Sequence, residues 1–443
     1  VPLQRVLWAD SSESGTVVHV LAKKSERRGL VLVKAEGNAK KGASDELARE
    51  WSKLLMDAAY AGKSSTCIGR VPFKSLACIG VKQQRRFKIF INPNSGPGNA
   101  KTLYKRKVEP ILKACRCSLD ITFTERRNHA ADIAAKLPLD EFDALLTVSG
   151  DGMVHEVFNG LAAHKDPLKA LDIPIVPMPA GSGNGTSINL LGIEEGLDIS
   201  AAALNAVKGR PMKVDLCSIL QNGKRSFSFM SQCVGLMADL DLGTEHLRWM
   251  GSNRFVYGYL RGILTRRICP VSVSIKAIET DKVKMVEALN SFVPQTTINE
   301  NSSLPEVGCA SEDTDGWITF EQPLIYLYAG KGPYVGRDLM QFPMSVPNDG
   351  TIDIVIQGLV SRGELLDAMD GADMGKTFWR ESSHYFKAQA YRVKPLSKNG
   401  YLAIDGEKFP FDEYLIEVHR GLGTVMSMYG QYVANFNVPR PSK

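Results

Sequence analysis

Asp151 lies between two glycines in Ser149-Gly150-Asp151-Gly152, at the end of the apolar run Ala144–Val148. Met153, Val154, Val157, Phe158 and Leu161 follow at helical spacing. A carboxylate in such a turn, at the carboxyl end of a buried strand, stands where open α/β sheets bind ligands. The glycines let backbone N–H groups reach an anion, and Asp151 puts a base in the same space, which is the chemistry of phosphoryl transfer. Two more glycine-rich loops repeat the arrangement: Asn92-Pro93-Asn94-Ser95-Gly96-Pro97-Gly98 and Pro179-Ala180-Gly181-Ser182-Gly183-Asn184-Gly185. Each leads into a helix N-terminus, whose free N–H groups and dipole favour phosphate. Neither G-x-x-x-x-G-K-[ST] nor a G-x-G-x-x-G followed by a ribose-binding acid occurs, so the loops are not a P-loop or a dinucleotide fingerprint.

These loops need a frame, and strand–helix alternation provides it. Phe87–Ile91 leads into Lys101–Ala114, Leu119–Thr124 into Ala130–Leu137, Ala144–Val148 into Met153–His164, and Ile173–Met178 into Thr186–Leu191; a helix from Leu197 to Lys208 follows. This pattern predicts a doubly wound α/β domain over residues 86–210. From Lys213 the chain turns to short alternating runs, Val214–Leu220, Phe227–Cys233, Val271–Ile278, Leu324–Ala329, Thr351–Gln357 and Leu415–His419 among them. They predict an antiparallel, β-sandwich-like domain over residues 211–443, interrupted by helices near Leu240–Leu264 and Arg362–Ala372. The polar stretch Phe292–Asp315 reads as a mobile surface loop. Residues 1–80 form a β-rich extension ending in a helix, Ser44–Tyr60, with Trp51, Leu54, Leu55 and Ala58 on one face; strands closed by a tryptophan-bearing helix resemble the end of a pleckstrin-homology domain.

Composition narrows the class. Hydrophobic residues at 44% and charged residues at 23% describe a globular chain of two or three domains. A net charge of +6 suits an anionic nucleotide or membrane surface and is too small to argue for nucleic acid. Eight cysteines without a CxxC pair point to reduced cytosolic thiols rather than disulfides or zinc. No apolar run approaches the length of about 18 residues needed to span a bilayer. The start at Val1, with no initiator Met or signal h-region, reads as a trimmed chain whose native anchor, if any, is out of view.

Taken together, Ser-Gly-Asp-Gly and the Asn-Pro-x-x-Gly-x-Gly and Gly-Ser-Gly-Asn loops resemble the diacylglycerol-kinase catalytic fold of lipid kinases. Thr124-Glu125-Arg126-Arg127-Asn128-His129-Ala130 narrows the resemblance to sphingosine (long-chain-base) kinases. So do Gly235-Leu236-Met237-Ala238-Asp239-Leu240-Asp241 with Arg248 and Arg254, Asp405-Gly406-Glu407, and the strand end Val418-His419. The match runs from about Phe87 to Tyr429. It implies an ATP- and Mg²⁺-dependent enzyme that phosphorylates the primary hydroxyl of a sphingoid base, cytoplasmic and peripherally bound to membranes, with a homodimer among the expectations. It implies Asp151 as general base and Asp241 as partner of the lipid amine, with Asp239 beside it. Asn92, Ser95, Gly96, Thr124, Ser149, Gly150, Gly152, Gly181, Ser182, Gly183, Arg248, Arg254, Asp405, Gly406 and Glu407 would line the nucleotide path; the Mg²⁺ ligands stay unassigned. Phe255, Tyr259, Leu365 and Met369 would wall the lipid pocket, and Lys82, Arg85 and Arg86 would attract anionic lipid.

Plainer readings stand beside these. Asp151 can be a turn former, and Asp239 or Asp241 can cap a helix. Arg126 and Arg127 fit a solvated face as well as a site, and His129 and His155 read as orienting residues. Pro97 and Asn99 stand where many relatives carry lysine, which shifts phosphate contact toward backbone N–H groups. The helix from Ser361 carries Glu364, Asp367, Asp370 and Asp373 beside its apolar residues, a narrow stripe for roofing an 18-carbon chain. Diacylglycerol or ceramide kinases of the same fold, NAD kinase, and a catalytically inactive lipid- or nucleotide-binding scaffold are the alternatives.

Overall fold

The apolar run before Asp151 is a strand, Ala144–Ser149, buried at every position. Burial on both faces follows from its place inside a parallel sheet with helices on either side. The spatial order of the parallel strands is Ser118–Phe123, Arg86–Ile91, Ala144–Ser149, Ile175–Pro179. Chain order reverses between Arg86–Ile91 and Ala144–Ser149, so the loops that follow these two strands flank the crevice where such sheets bind ligands. Asn92–Gly98 and Gly150–Gly152 are those loops.

The computed structural model describes residues 1–12, 15–23, 29–38, 45–61, 81–251, 253–265, 267–293, 303–308 and 316–440. Most of the stretch Phe292–Asp315, read above as a loop, lies outside them. At the N-terminus, Val6–Ser12, Gly15–Lys23 and Leu30–Asn38 form an antiparallel three-stranded sheet, followed by the helix Asp45–Tyr60. The packed face of that helix is not the expected one. Ser52, Met56, Ala59 and Tyr60 are buried, whereas Trp51 is 61% and Leu54 59% exposed. Both faces are apolar in sequence; the Tyr60 hydroxyl, which donates to the Leu7 carbonyl at 2.8 Å, goes with the face that packs.

The expected second half is antiparallel but is not hydrogen-bonded apart from the first. Tyr414–Ser427 pairs in parallel with Ile175–Pro179 through Val425 and Ile175, and antiparallel with Arg210–Gln221 and Ser383–Pro395. One mixed sheet of 15 strands therefore runs through the molecule. The expected strand Phe227–Cys233 is two strands, Lys224–Ser228 and Ser231–Gly235. The expected helix Leu240–Leu264 is likewise two, Leu236–Leu242 and Asn253–Thr265, separated near Gly243 and Gly251. The helix Lys282–Ser291, capped by the Asp281 carboxylate on Val283 N–H, carried no strong sequence signal.

His419 shows how one polar residue is accommodated inside this sheet. Its Nε2 meets the Ser218 hydroxyl at 2.6 Å and an Arg225 guanidinium N–H at 3.2 Å, and it is buried. Burial and the neighbouring Arg225 charge push its pKa down to about 4. With Arg225 donating to Nε2, the neutral ring is the form that fits. The folded pKa is below the unfolded value of about 6.5, so the unfolded chain binds the extra proton first and stability falls as pH drops from about 6.5 toward about 4. The contribution lost across that window is up to about 3 kcal/mol. Chemical denaturation at pH 7 and pH 4.5 should show a smaller pH-dependent loss in His419→Gln than in the parent; an equal loss would place the effect elsewhere.

Candidate active site

The three glycine-rich loops pack on one another backbone to backbone. A Cβ on Gly150 would lie 2.7 Å from the Gly183 carbonyl oxygen, one on Gly181 2.3 Å from the Gly150 Cα, and one on Gly96 2.7 Å from the Ala180 carbonyl oxygen. Gly96 also has φ +55°. These close approaches require glycine before any phosphate is considered. Polar groups fix the same junction. Asn92 Oδ1 accepts the Asn94 N–H in a local turn, the buried Ser149 hydroxyl donates to Ser95 Oγ at 3.1 Å, and Thr124 N–H donates to the Ile91 carbonyl at 2.8 Å. Ser182 and Gly183 sit in the third loop, where the Gly183 carbonyl accepts the Asp151 N–H.

Asp151 opens the helix Asp151–Ala162, and its side chain crosses to the N-terminus of another helix, Gly185–Glu195. Oδ2 accepts from Gly185 N–H at 2.7 Å; Oδ1 accepts from Thr186 N–H at 3.2 Å and the Thr186 hydroxyl at 2.7 Å. A carboxylate has about four acceptor positions, so this arrangement leaves about one for a further donor. Burial raises the pKa of Asp151 above the ordinary carboxylate value, while the three donors oppose the rise. The group is thus a fixed carboxylate made more basic by its surroundings, with capacity for one incoming hydroxyl. Gly185 and Thr186 were not among the expected site residues. Their signal was the helix start after Gly-Ser-Gly-Asn, where free N–H groups need an acceptor.

The turn Asp405-Gly406-Glu407 links this centre to the second half of the chain. Asp405 was expected on the nucleotide path; in the structure its side chain is buried within the protein. Its carboxylate accepts from Ser228 Oγ, from the N–H groups of Phe229, Met230 and Ser231, and meets His155 Nδ1 at 2.8 Å. It is 1% exposed and fully engaged inside the protein, so it positions the turn rather than touching a ligand. Its φ of +48° is uncommon for a side chain other than glycine. Gly406, at φ +82°, faces Asp241: a Cβ there would lie 3.8 Å from Asp241 Oδ2. Glu407 faces Gly152, whose Cβ would lie 3.0 Å from Oε1, and its Oε2 accepts from Arg127 at 2.5 Å.

Asp241 lies in the last turn of the helix Leu236–Leu242 and meets Arg254. Arg254 donates to the Asp241 carbonyl at 2.9 Å and approaches Oδ1 at 3.4 Å, with its guanidinium 4.2 Å over the Phe255 ring. Arg254 is therefore held against the expected amine-binding acid, not extended toward the loops. Burial raises the pKa of Asp239, opposed by the charges of Arg267 and Arg261. The Arg248 side chain lies outside the described residues. Of the expected lipid-wall residues, Leu365 is buried in the apolar cluster with Met237, Ile263 and Phe342, and Tyr259, packed against the same cluster, donates to the Leu365 carbonyl at 3.2 Å. Met369 lies at the surface, because its helix ends at Asp367 instead of continuing to Ala372. Arg85, expected to face anionic lipid, is buried and donates to the carbonyls of Ala206 and Gly209; Lys82 pairs with Asp143.

Beside Glu407 opens a cleft of about 410 Å³, lined by Arg127, Asn128, His155, Glu156, Asn159 and Phe409 among others. Glu156 accepts the N–H groups of Asn128 and Ala130, and burial raises its pKa against them. Among the described residues, no three His, Cys, Asp or Glu side chains gather to hold a metal. Mg²⁺ travelling with a nucleotide needs only one or two carboxylates besides phosphate and water. The acids beside the loops are Asp151, Asp405 and Glu407. Asp405 is spent and the remaining Asp151 position faces an incoming hydroxyl, so Glu407 is the acid of this set that would hold such an ion.

Residues 86–219 match the family model of the diacylglycerol kinase catalytic domain. The chain is 30% identical over 431 residues to sphingoid long chain base kinase 4 of Schizosaccharomyces pombe, covering 96% of this chain and 88% of that protein. It is 28% identical to human sphingosine kinase 1, covering 75% of this chain and 88% of the relative. In fold it is similar to a diacylglycerol kinase structure from Bacillus anthracis, with a TM-score of 0.51 at 18% identity over 78% of this chain and 97% of that one. With its glycine loops and buried Asp151, the chain belongs to the sphingoid long-chain-base (sphingosine) kinase family of lipid kinases.

Proposed function

We propose that this kinase transfers the γ-phosphoryl group of ATP to the primary hydroxyl of sphingoid long-chain bases, giving the base 1-phosphate and ADP. The observation that carries the reading is one turn with an acid on either side, Glu407 facing Gly152, the residue after Asp151, and Gly406 facing Asp241. Two acids suit a substrate with two different head groups. An alcohol needs a carboxylate to take its proton as the O–P bond forms and the bond to the ADP oxygen breaks. An ammonium at the mouth of an apolar cluster needs a fixed counter-charge. Asp151 meets the first need with its remaining acceptor position, and Asp241 the second, its Oδ2 turned toward Gly406.

In this reading residues 86–210 hold the nucleotide and 211–443 the lipid. The base of ATP lies in the cleft between Arg127, Glu156 and Glu407, and the phosphates follow the glycine loops, where N–H groups and helix termini balance charge. Mg²⁺, when bound, adds further neutralisation of the phosphates. The hydrocarbon chain enters the cluster of Met237, Ile263, Phe342 and Leu365. No helix among the described residues is long and apolar enough to cross a membrane. Peripheral contact is instead supported by the exposed Val256, Tyr257, Leu260 and Leu264 on the helix over that cluster.

Asp241→Asn tests the assignment. It removes the counter-charge and leaves the loops intact, so KM for dihydrosphingosine should rise about 10- to 100-fold while KM for ATP stays within about twofold. An unchanged lipid KM would sink the amine-binding role.

A further inference from the structure

One polar group packed against the apolar cluster is used by neither acid's role. Tyr328 lies on the strand Leu324–Gly330, opposite Cys233 in the antiparallel pair with Ser231–Gly235. It packs against the apolar cluster that the helix Leu236–Leu242 also enters through Met237, Leu240 and Leu242, and its hydroxyl bonds the Ser231 side chain and feels the charges of Asp241 and Asp151. Ser231 is fixed in turn: its N–H donates to Asp405 Oδ1 at 2.8 Å, and its carbonyl accepts the Asp405 N–H at 2.7 Å. The sulfur of the preceding residue, Met230, lies 3.7 Å from the Thr186 hydroxyl that donates to Asp151. The ring is braced edge-on by Phe342, centroids 5.3 Å apart. Leu327 and Ala329 beside it are fully buried, but Tyr328 keeps partial solvent access.

The chemistry of that position is distinct from either acid. An ionised carboxylate only accepts, whereas a phenol both donates and accepts. Just beyond it the apolar cluster of Met237, Ala238, Tyr326 and Phe342 begins, where an unpaired hydroxyl is costly to bury. Resting on the sphingoid-base reading, we propose that Tyr328 is a specificity-determining residue that hydrogen-bonds a secondary hydroxyl of the substrate, on the first or second carbon beyond the amine-bearing one. The site then distinguishes amino alcohols by hydroxylation as well as by charge.

The test compares kcat and KM for 2-aminooctadecan-1-ol, dihydrosphingosine and phytosphingosine, which carry no, one and two such hydroxyls. The wild-type chain should favour the hydroxylated bases by about 10-fold or more in kcat/KM. Tyr328→Phe should remove about 10-fold of that preference, mainly through KM, and change 2-aminooctadecan-1-ol by less than about twofold. An equal fall for all three substrates would mark Tyr328 as structural and overturn the proposal. A wild-type chain indifferent to hydroxylation would overturn it without any variant. Turnover of hydroxylated and deoxy bases alike would leave the kinase reading standing, whereas a wild-type chain that phosphorylates none of the three ends both.

Discussion

Asp151→Asn should lower kcat by about 10³-fold or more while ATP still binds with a dissociation constant within about threefold of the parent, measured by titration calorimetry. General-base catalysis contributes roughly 10²- to 10⁴-fold, and no other described acid has an oxygen so placed among the loops. The amide can keep its oxygen toward Thr186, but its NH₂ then faces Gly185 N–H, a donor against a donor. The variant should therefore also lose about 1–3 kcal/mol of stability, so activity must be normalised to folded protein. The pH profile supplies an independent readout. Burial raises the Asp151 pKa, and only the ionised form accepts a proton, so kcat/KM should climb with pH through a midpoint above the ordinary Asp value of about 3.9. That limb should vanish in the asparagine variant. Near-normal turnover in Asp151→Asn would remove the base from the mechanism.

Lys331→Met should be the most destabilising single change outside the site, at about 3–5 kcal/mol. Lys331 is 2% exposed, and its ammonium meets Asp215 Oδ2 and Asp349 Oδ1, both at 2.9 Å, and the Thr351 carbonyl at 2.7 Å. Lys387 reaches the other Asp349 oxygen at 2.8 Å and Asp353, which also accepts from Tyr385 at 2.7 Å. Asp215 takes the N–H groups of Gly350 and Gly421 as well, so the network ties several strands of the antiparallel region at one point. Burial alone would strip the Lys331 proton, but the charges of Asp215, Asp349 and Asp353 hold its pKa well above the lysine range. Removing the cation leaves buried carboxylates facing one another. The apparent melting temperature should fall by about 5 °C or more. In Lys331→Met combined with Asp215→Asn the two losses should be less than additive by about 1 kcal/mol or more. A Lys331→Met chain within about 1 kcal/mol of the parent would contradict this account.

What could be read from residues alone follows a physical line. The glycine loops, the strands that carry them and Asp151 were legible because backbone periodicity and turn chemistry are local. Partnerships across the chain were not. Asp405 looks like a site acid in the string Asp405-Gly406-Glu407; only the fold brings five donors from His155 and from residues 228–231 onto it. Arg254 reads as a phosphate ligand until Asp241, 13 residues earlier, is seen beside it. The helix Asp45–Tyr60 has two apolar faces, and periodicity cannot choose between them. Lys331, in Gly330-Lys331-Gly332-Pro333, has the appearance of an exposed turn lysine; its burial depends on three aspartates from elsewhere in the chain. The joining of both halves into one sheet depends on the single parallel contact of Val425 with Ile175, which no local pattern announces.

The central claim is that one site pairs a base for an alcohol with a counter-charge for an amine. It is tested most directly by the initial rate of labelled phosphate transfer from ATP to dihydrosphingosine, set against ceramide and diacylglycerol in the same mixed micelles. Ceramide has the primary hydroxyl but no free amine. The account predicts that the free base is phosphorylated at least about 10²-fold faster than either neutral lipid. Comparable incorporation into ceramide or diacylglycerol would contradict it.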